Sequence, residues 1–336
     1  MIRLSICIPT YNFGDFIGQT LDSLLPQITE EVEVIVLDGG STDNTAEVVT
    51  IRQKKYKQLT YYYQDFRGGI DRDIEKAVSL AQGTYCWLFS ADDIMLSSAI
   101  DKLLEAIKSN NDIYICEHVL CNFEMKPIRE HPPFIKLSAP RAFDLSDDFQ
   151  RTEYFRLART SEAFFSFLAG PIFKKELWDK VSVPESFRGT YWIVAGHLLS
   201  AFSEGISVKY LNEIFIHKRG DNDSFSHAGL VNRIKISIEN FQHIASITFG
   251  KNSKEAFHIR RVLQNDIPLR YLLMAKHRAT ENPEKESINL LKQLASIHYI
   301  DSTFRNKMNI MLFNAAHPFV LKLAYILKQM LRKSVN

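Results

Sequence analysis

The sequence predicts an α/β fold with a mostly parallel, Rossmann-like sheet, followed by a helical C-terminal extension. Two patterns carry that expectation. Over the first 120 residues, short β-type runs alternate with helical patterns, the order that a parallel sheet with crossover helices requires. From Leu230 to the end the apolar periodicity is almost wholly helical. A length of 336 residues and a hydrophobic content of 46 % allow a sizeable core, with roughly two domains as the prior.

Taken in order, Ile2 to Ile8 is the first strand, closed by Pro9, and Asp15 to Leu25 is an amphipathic helix with Ile17, Leu21, Leu24 and Leu25 on one side. Val32 to Leu37 is a second strand. Ser41-Thr42-Asp43 then offers capping oxygens to a helix through Ala46 and Val49. Leu59 to Tyr63, a helix from about Asp71 to Ala81 and the strand Tyr85 to Phe89 continue the rhythm. After Ser90-Ala91-Asp92-Asp93 come a helix from about Ser97 to Ile107 and a strand at Asp112 to Glu117. Residues 122 to 150 carry Pro127, Pro132, Pro133 and Pro140, which no regular helix accommodates, so they are expected to be a connecting excursion. The pattern from Phe164 to Ile216 is mixed, and no internal repeat or low-complexity segment is visible.

Charge excludes one class of function. The 41 Lys+Arg and 39 Asp+Glu give a formal +2, yet the last 32 residues, Arg305 to Asn336, hold six basic residues and no acidic one, leaving about −4 for residues 1 to 304. A negative body argues against a nucleic-acid partner, which needs a basic stripe. Cys7, Cys86, Cys116 and Cys121 form no CxxC pair and sit mainly in apolar segments. They are expected to be buried thiols in a reducing compartment, without a disulfide framework or a zinc site. The chain starts directly on an alternating strand pattern, and no run reaches the roughly 18 apolar residues of a bilayer span. The expected location is cytoplasmic.

In an open α/β sheet ligands bind beyond the carboxyl ends of the strands. Three polar clusters fall there: Pro9-Thr10-Tyr11-Asn12, Asp38-Gly39-Gly40-Ser41-Thr42-Asp43, and Asp92-Asp93. Adjacent carboxylates after a strand as apolar as Tyr85 to Phe89 repel each other, and a Mg2+ or Mn2+ shared with substrate phosphates relieves that repulsion. Gly68-Gly69 and Gly39-Gly40 lack the spacing of a phosphate-cradling glycine loop. A nucleotide handled through metal and carboxylates, as in a nucleotide-sugar, fits the pattern better.

The succession Ser5-Ile6-Cys7-Ile8-Pro9-Thr10-Tyr11-Asn12, Val36-Leu37-Asp38-Gly39-Gly40-Ser41-Thr42-Asp43-Asn44-Thr45, Ala81-Gln82-Gly83-Thr84-Tyr85 and Ser90-Ala91-Asp92-Asp93 resembles the family 2 glycosyltransferases of the GT-A fold. Segments Asn111 to Cys116, Phe187 to Trp192 and Lys218 to Phe225 are similar to the bacterial abequosyltransferases. The resemblance implies transfer of a deoxysugar, a 3,6-dideoxyhexose from a CDP-sugar, onto a lipid-linked O-antigen intermediate of lipopolysaccharide synthesis, its carrier a polyprenyl diphosphate. Carried over by position, Pro9, Tyr11 and Asp38 contact the nucleoside, Asp92 the ribose side, and Asp93 the Mg2+ or Mn2+. The implied division is a nucleotide-sugar-binding half at 1–121, an acceptor-side half at 122–227 and a helical extension at 228–336.

Three departures from the family pattern matter. Most members read Asp-Asp where this chain has Asp38-Gly39; in UDP-sugar enzymes the second Asp accepts from uracil N3–H, whereas cytosine N3 is itself an acceptor, so Gly39 agrees with a cytidine donor or merely eases the turn. Many relatives carry an Arg-Asn or Met-Asn pair within the stretch that reads Ile70-Asp71-Arg72-Asp73-Ile74-Glu75 here; Arg72 is a candidate for the donor phosphates, or an exposed partner of its acidic neighbours. The Glu-Asp pair that usually supplies the base is missing from Phe187 to His197. The remaining base candidates are Glu185, His197, Asp221 and Asp223, and both the base and the stereochemical course stay open. In the family a mobile loop closes on the diphosphate near residues 218 to 224, which makes Arg219 a phosphate candidate.

Two other readings remain: the same fold using a UDP- or dTDP-sugar for another cell-envelope glycan, and a non-catalytic nucleotide- or glycan-binding module. From about Pro318, Leu321, Leu323, Ile326, Met330 and Leu331 are interleaved with Lys322, Lys328, Arg332 and Lys333. That is an amphipathic basic helix, suited to the anionic inner face of the cytoplasmic membrane or to packing on the body.

Overall fold

The computed structural model describes residues 1–222, 229–281 and 287–316. Residues 1–222 form one compact unit and residues 223–336 another.

Among the described residues, ten strands make one sheet in the first unit. Its path is β3 (Leu59–Tyr63), β2 (Val32–Asp38), β1 (Leu4–Thr10), β4 (Tyr85–Leu88), β9 (Pro171–Lys174), β6 (Ile113–Cys121), β10 (Ser207–Lys218), β5 (Ile94–Met95). Off this path β7 (Pro127–Glu130) pairs with β6, and β8 (Arg141–Asp144) with β10. The four strands β3, β2, β1 and β4 are mutually parallel. Beyond them β9 runs antiparallel to both β4 and β6, and the sheet becomes mixed. Every residue of β1 is buried, as expected of a central strand covered on both faces, which has no polar face to alternate with.

The crossovers are α1 (Gly14–Leu24), α2 (Thr45–Gln53), α3 (Ile70–Leu80) and α4 (Ala99–Ala106). In α1, Ile17, Leu21 and Leu24 are buried at a spacing of three and four, so one apolar stripe meets the sheet. α3 buries Ile74, Ala77 and Val78 in the same way. The proline-rich stretch contributes β7 and β8 rather than bare coil, and is followed by α5 (Asp148–Leu157), whose Asp147 side chain accepts from Gln150 N–H as an N-cap. Next come α6 (Lys175–Lys180) and α7 (Ile193–Ser200). Large aromatic side chains fill this part of the core: Tyr154, Phe155, Phe164 and Phe202 pack within about 6 Å of one another, centroid to centroid. All four cysteines are buried free thiols.

The second unit is helical: α8 (Leu230–Lys235), continued through a π-helical turn at Ile236–Asn240 into α9 (Phe241–Phe249), then α10 (Lys254–Asp266), α11 (Leu269–Glu281), α12 (Ile288–His298) and α13 (Phe304–Ala315). Ser253, Ser287 and Thr303 each cap a helix by accepting a backbone N–H three residues on. Leu272, Leu291, Leu294 and Phe313 are wholly buried in its core, so α13 belongs to that core. Among the described residues no helix is long and apolar enough to cross a membrane. The amphipathic segment expected from Pro318 onward lies outside the described residues.

Candidate active site

Register places the polar clusters side by side. The last pair of the β1–β2 ladder is Thr10 with Asp38, and Cys7 pairs with Leu88 near the end of β4. The loops that follow are stapled together. Asn12, in the left-handed region at φ 56, accepts from Thr42 N–H at 2.8 Å and donates its own N–H to Ser41 Oγ at 2.8 Å. Gly14 N–H reaches Asp43 Oδ2 at 2.9 Å. A Cβ on Gly14 would lie 1.9 Å from Asn44 Oδ1 and 3.0 Å from Thr45 N, so a side chain there would displace the Asn44 side chain and press on the neighbouring loop.

Asp38 is fully buried at the mouth of β2. Its Oδ1 accepts from Ser41 N–H and its Oδ2 from the Tyr61 hydroxyl, both at 2.7 Å. Burial and that hydrogen bond push the Tyr61 phenol up. Each Asp38 oxygen thus has a donor from within the protein. Pro9 is buried at the end of β1, and the Tyr11 ring carries the Arg67 guanidinium 4.1 Å from its centroid.

The acidic pair sits beyond β4. Asp92 and Asp93 are both buried. Asp92 accepts from Ser90 Oγ at 2.9 Å and from Asn222 Nδ2 at 2.7 Å. Asp93 accepts from Arg219 N–H at 2.8 Å through Oδ1, and its Oδ2 has no donor among the described residues. Burial first, and the Asp92 charge second, push the Asp93 carboxyl up to about 7. A carboxylate oxygen without a donor, on a buried residue next to a like charge, suits a hard divalent cation such as Mg2+ or Mn2+. Among the described residues no three His, Cys, Asp or Glu side chains gather into a metal-binding group.

Arg219 is buried, and its guanidinium is already engaged. Nε donates to Asp92 O at 2.9 Å, Nη2 to Gln19 Oε1 at 2.7 Å, and Nη1 to Phe123 O. It ties the end of β10 to α1 and to the acidic pair. Asp221 is exposed, in a left-handed turn at φ 58, while Asp223 lies outside the described residues.

The other candidates meet at α7. Arg72 pairs with Glu185 at 3.2 Å, with both side chains largely exposed. Glu185 also accepts from Arg188, whose guanidinium forks onto Glu75 at 2.7 and 2.8 Å. His197 stacks on Trp178 with centroids 3.8 Å apart and bonds Glu75 at 3.2 Å; burial lowers its pKa, an effect the Glu75 contact opposes. It is a packed residue of α7. The local organiser is Asp71, which accepts N–H bonds from Gly189, Tyr191 and Ile193 at 2.7, 2.9 and 3.3 Å and so caps the turn that starts α7.

Residue-by-residue reading missed Asn222, Asp71 and Asp73. Asn222 lay within the polar segment after β10 without being singled out. Asp71 and Asp73 stand in the first turn of α3, where acidic residues ordinarily answer the helix dipole. Asp73 is buried, takes a 2.8 Å hydrogen bond from Gln64 Nε2, and its Oδ2 lies 2.6 Å from where a Gly39 Cβ would be.

Residues 5–170 match the family described as Glycosyl transferase family 2. Among curated proteins the chain is similar to the abequosyltransferase RfbV of Salmonella typhimurium, 28 % identical over 291 residues, which span 85 % of this chain and 87 % of that protein. It is also similar to a GalNAc(5)-diNAcBac-PP-undecaprenol beta-1,3-glucosyltransferase of Campylobacter jejuni, 26 % identical over 197 residues, 57 % of this chain and 59 % of that one. Among solved structures, S. aureus TarS 1-349 in complex with UDP-GlcNAc superposes with a TM-score of 0.60 at 15 % identity, covering 99 % of this chain and 92 % of that one. The mannosyltransferase PcManGT from Pyrobaculum calidifontis, in complex with GDP-Man and Mn2+, gives 0.53 at 16 % identity, covering 96 % and 86 %. At such identities the structural likeness establishes the GT-A fold.

Proposed function

We propose, from the match of residues 5–170 to glycosyltransferase family 2, that the enzyme moves a deoxysugar, a 3,6-dideoxyhexose from its CDP donor, onto a hydroxyl of a polyprenyl-diphosphate-linked O-antigen oligosaccharide. The observation that carries this reading is the convergence of Tyr11, Asp38 and Asp92-Asp93 at the carboxyl ends of β1, β2 and β4. The similarity to an abequosyltransferase over 85 % of the chain supports the choice of sugar.

In this reading residues 1–121 bind the nucleotide-sugar, residues 122–227 face the acceptor, and residues 228–336 extend the enzyme. Tyr11 and Pro9 flank the nucleoside, Asp38 fixes the pocket floor, and Asp92 faces the ribose side. Asp93 would hold Mg2+ or Mn2+, which when bound neutralises charge on the departing nucleoside diphosphate. Arg219 acts by positioning Asp92 and Asp93, and Arg72, held at the rim by Glu185, is available to the phosphates. The basic segment after residue 316 gives peripheral contact with the inner face of the cytoplasmic membrane.

The test is a nucleotide screen followed by turnover. CDP should raise the melting temperature of the full chain more than UDP or dTDP, because a ligand that binds only the folded state stabilises it in proportion to its affinity. Release of CDP from a CDP-dideoxyhexose in the presence of the lipid-linked acceptor, with the sugar appearing on that acceptor, should follow. Protection by UDP or dTDP alone would instead favour the same chemistry with a different donor, and nucleotide protection without turnover of any donor would leave only a binding module.

A further inference from the structure

Gly39 looks like a gap at the end of β2, but the space beside it is filled. The Asp73 carboxyl reaches in from α3, with Oδ2 2.6 Å from the position of a Gly39 Cβ and Oδ1 3.1 Å from that of a Gly68 Cβ. The first distance is incompatible with a side chain at residue 39 while Asp73 stays where it is, and the second is tight for one at residue 68. Two glycines thus make a cradle for one carboxyl group. Gln64 completes it: its Nε2 donates to Asp73 Oδ1 at 2.8 Å, and its backbone N–H is bonded to Asp38 O at 2.9 Å, so the amide arm is anchored to β2.

Only Oδ1 of Asp73 has a donor among the described residues. The fold gains little from this arrangement. Burial, and the nearby Asp38 charge, raise the Asp73 pKa against the help of Gln64 and Arg67, which means that the ionised group is held at a cost in stability. Buried carboxyls that cost stability and line a strand-end crevice mark functional positions. Arg67, whose charge reaches Asp73, lies over the Tyr11 ring with its guanidinium 4.1 Å from the centroid.

We propose that Asp73 is a donor-specificity residue, its Oδ2 accepting a hydrogen bond from the N4 amine of a cytosine base, with Gln64 orienting the carboxyl and Gly39 and Gly68 making room for it. The assignment rests on the CDP-sugar reading above. The chemistry discriminates at one ring position: C4 of cytosine carries an amine donor, whereas C4 of uracil or thymine carries a carbonyl acceptor that would face the carboxyl oxygen. A site built around that donor rejects the analogue lacking it more strongly than an apolar pocket could.

The experiment measures affinities of the full-length chain for CDP, UDP and dTDP by titration calorimetry, for the unaltered protein, Asp73→Asn and Gly39→Ala. The unaltered protein should prefer CDP over UDP by about tenfold or more. In Asp73→Asn the side chain keeps its shape, Oδ1 still accepts from Gln64, and an NH2 group replaces Oδ2, so the CDP-to-UDP ratio should fall about tenfold or invert. Gly39→Ala, which drives the carboxyl out of its cradle, should weaken CDP more than UDP. Far-UV circular dichroism establishes that each variant is folded, and Gly39→Ala carries the test if Asp73→Asn is not. An unchanged ratio in the folded variants overturns the role of Asp73 while leaving the donor reading intact. A protein that binds none of the three, or that prefers UDP before any substitution, overturns the donor reading and the cytosine assignment together.

Discussion

At the scale of single residues, Asp93 shows how a site can work against its own fold. Its carboxyl is pushed up to about 7 by burial and by Asp92, so above that pH the folded protein holds a charge that its surroundings disfavour. The sign follows directly: an acid with a raised folded-state pKa loses stability as pH rises from its ordinary value through the raised one. Asp93→Asn removes the charge and keeps an acceptor for Arg219 N–H. At pH 8 without metal its melting temperature should equal or exceed that of the unaltered enzyme, while turnover with Mg2+ or Mn2+ should fall on the order of 100-fold. Turnover within a few-fold of normal would remove Asp93 from the metal site. The Asp-Asp pair was legible in the sequence because two carboxylates follow a wholly apolar run. Arg219 was legible as a residue of interest, but its three-way bonding to Gln19, Phe123 and Asp92 was not, since those partners come from α1, the turn after β6 and the end of β4.

At the scale of elements, α3 does more than cross over the sheet. Residues two apart on a helix point to opposite sides, and residues four apart to the same side. Asp71 and Glu75 accordingly face the 185–197 segment, where they bind Gly189, Tyr191 and Ile193 and Arg188 and His197 respectively. Asp73 faces the end of β2. Asp71→Ala leaves three N–H groups at the start of α7 without their acceptor and should cost about 2–3 kcal/mol in urea unfolding. Asp71→Asn, which retains an acceptor, should recover part of that loss; equal stability of Asp71→Ala and the unaltered protein would mean that the turn is held by something else. The helix itself was readable to within a residue at each end, because its apolar positions recur at helical spacing. Its tertiary work was hidden: an acidic first turn has a sufficient local explanation, and nothing in the spacing links residue 73 to residue 39 or residue 71 to residue 191. For the same reason β1 to β4 and the first part of β6 were legible from apolar runs, whereas β5, β7 and β8 were not: β5 is two residues long, and β7 and β8 are four residues each in a proline-rich stretch.

At the scale of the whole molecule, the formal charge of +2 divides into an acidic body and a basic end. The division falls later than the charge count alone indicates. α13 carries Arg305 and Lys307 but buries Phe313, whose carbonyl accepts from Lys276 Nζ at 2.6 Å, so this helix belongs to the core of the second unit. Removal of residues 317–336 therefore takes away Lys322, Lys328, Arg332 and Lys333 and leaves every described residue of that core in place. The truncated protein should keep its CDP affinity and lose binding to vesicles containing anionic lipid, with the difference shrinking as salt is raised. Undiminished vesicle binding by the truncated, folded chain would rule out the terminal segment as the membrane contact.

The two opposite faces of α3 also limit how freely such an enzyme can be re-engineered. A designer wishing to exchange the donor nucleotide would replace the stretch from Gln64 to Leu80, and in doing so would discard Asp71 and Glu75, the supports of the segment ahead of α7. Donor choice and the geometry of that segment are thus inherited as a package: a transplanted α3 succeeds only when Arg188, Gly189 and His197 travel with it.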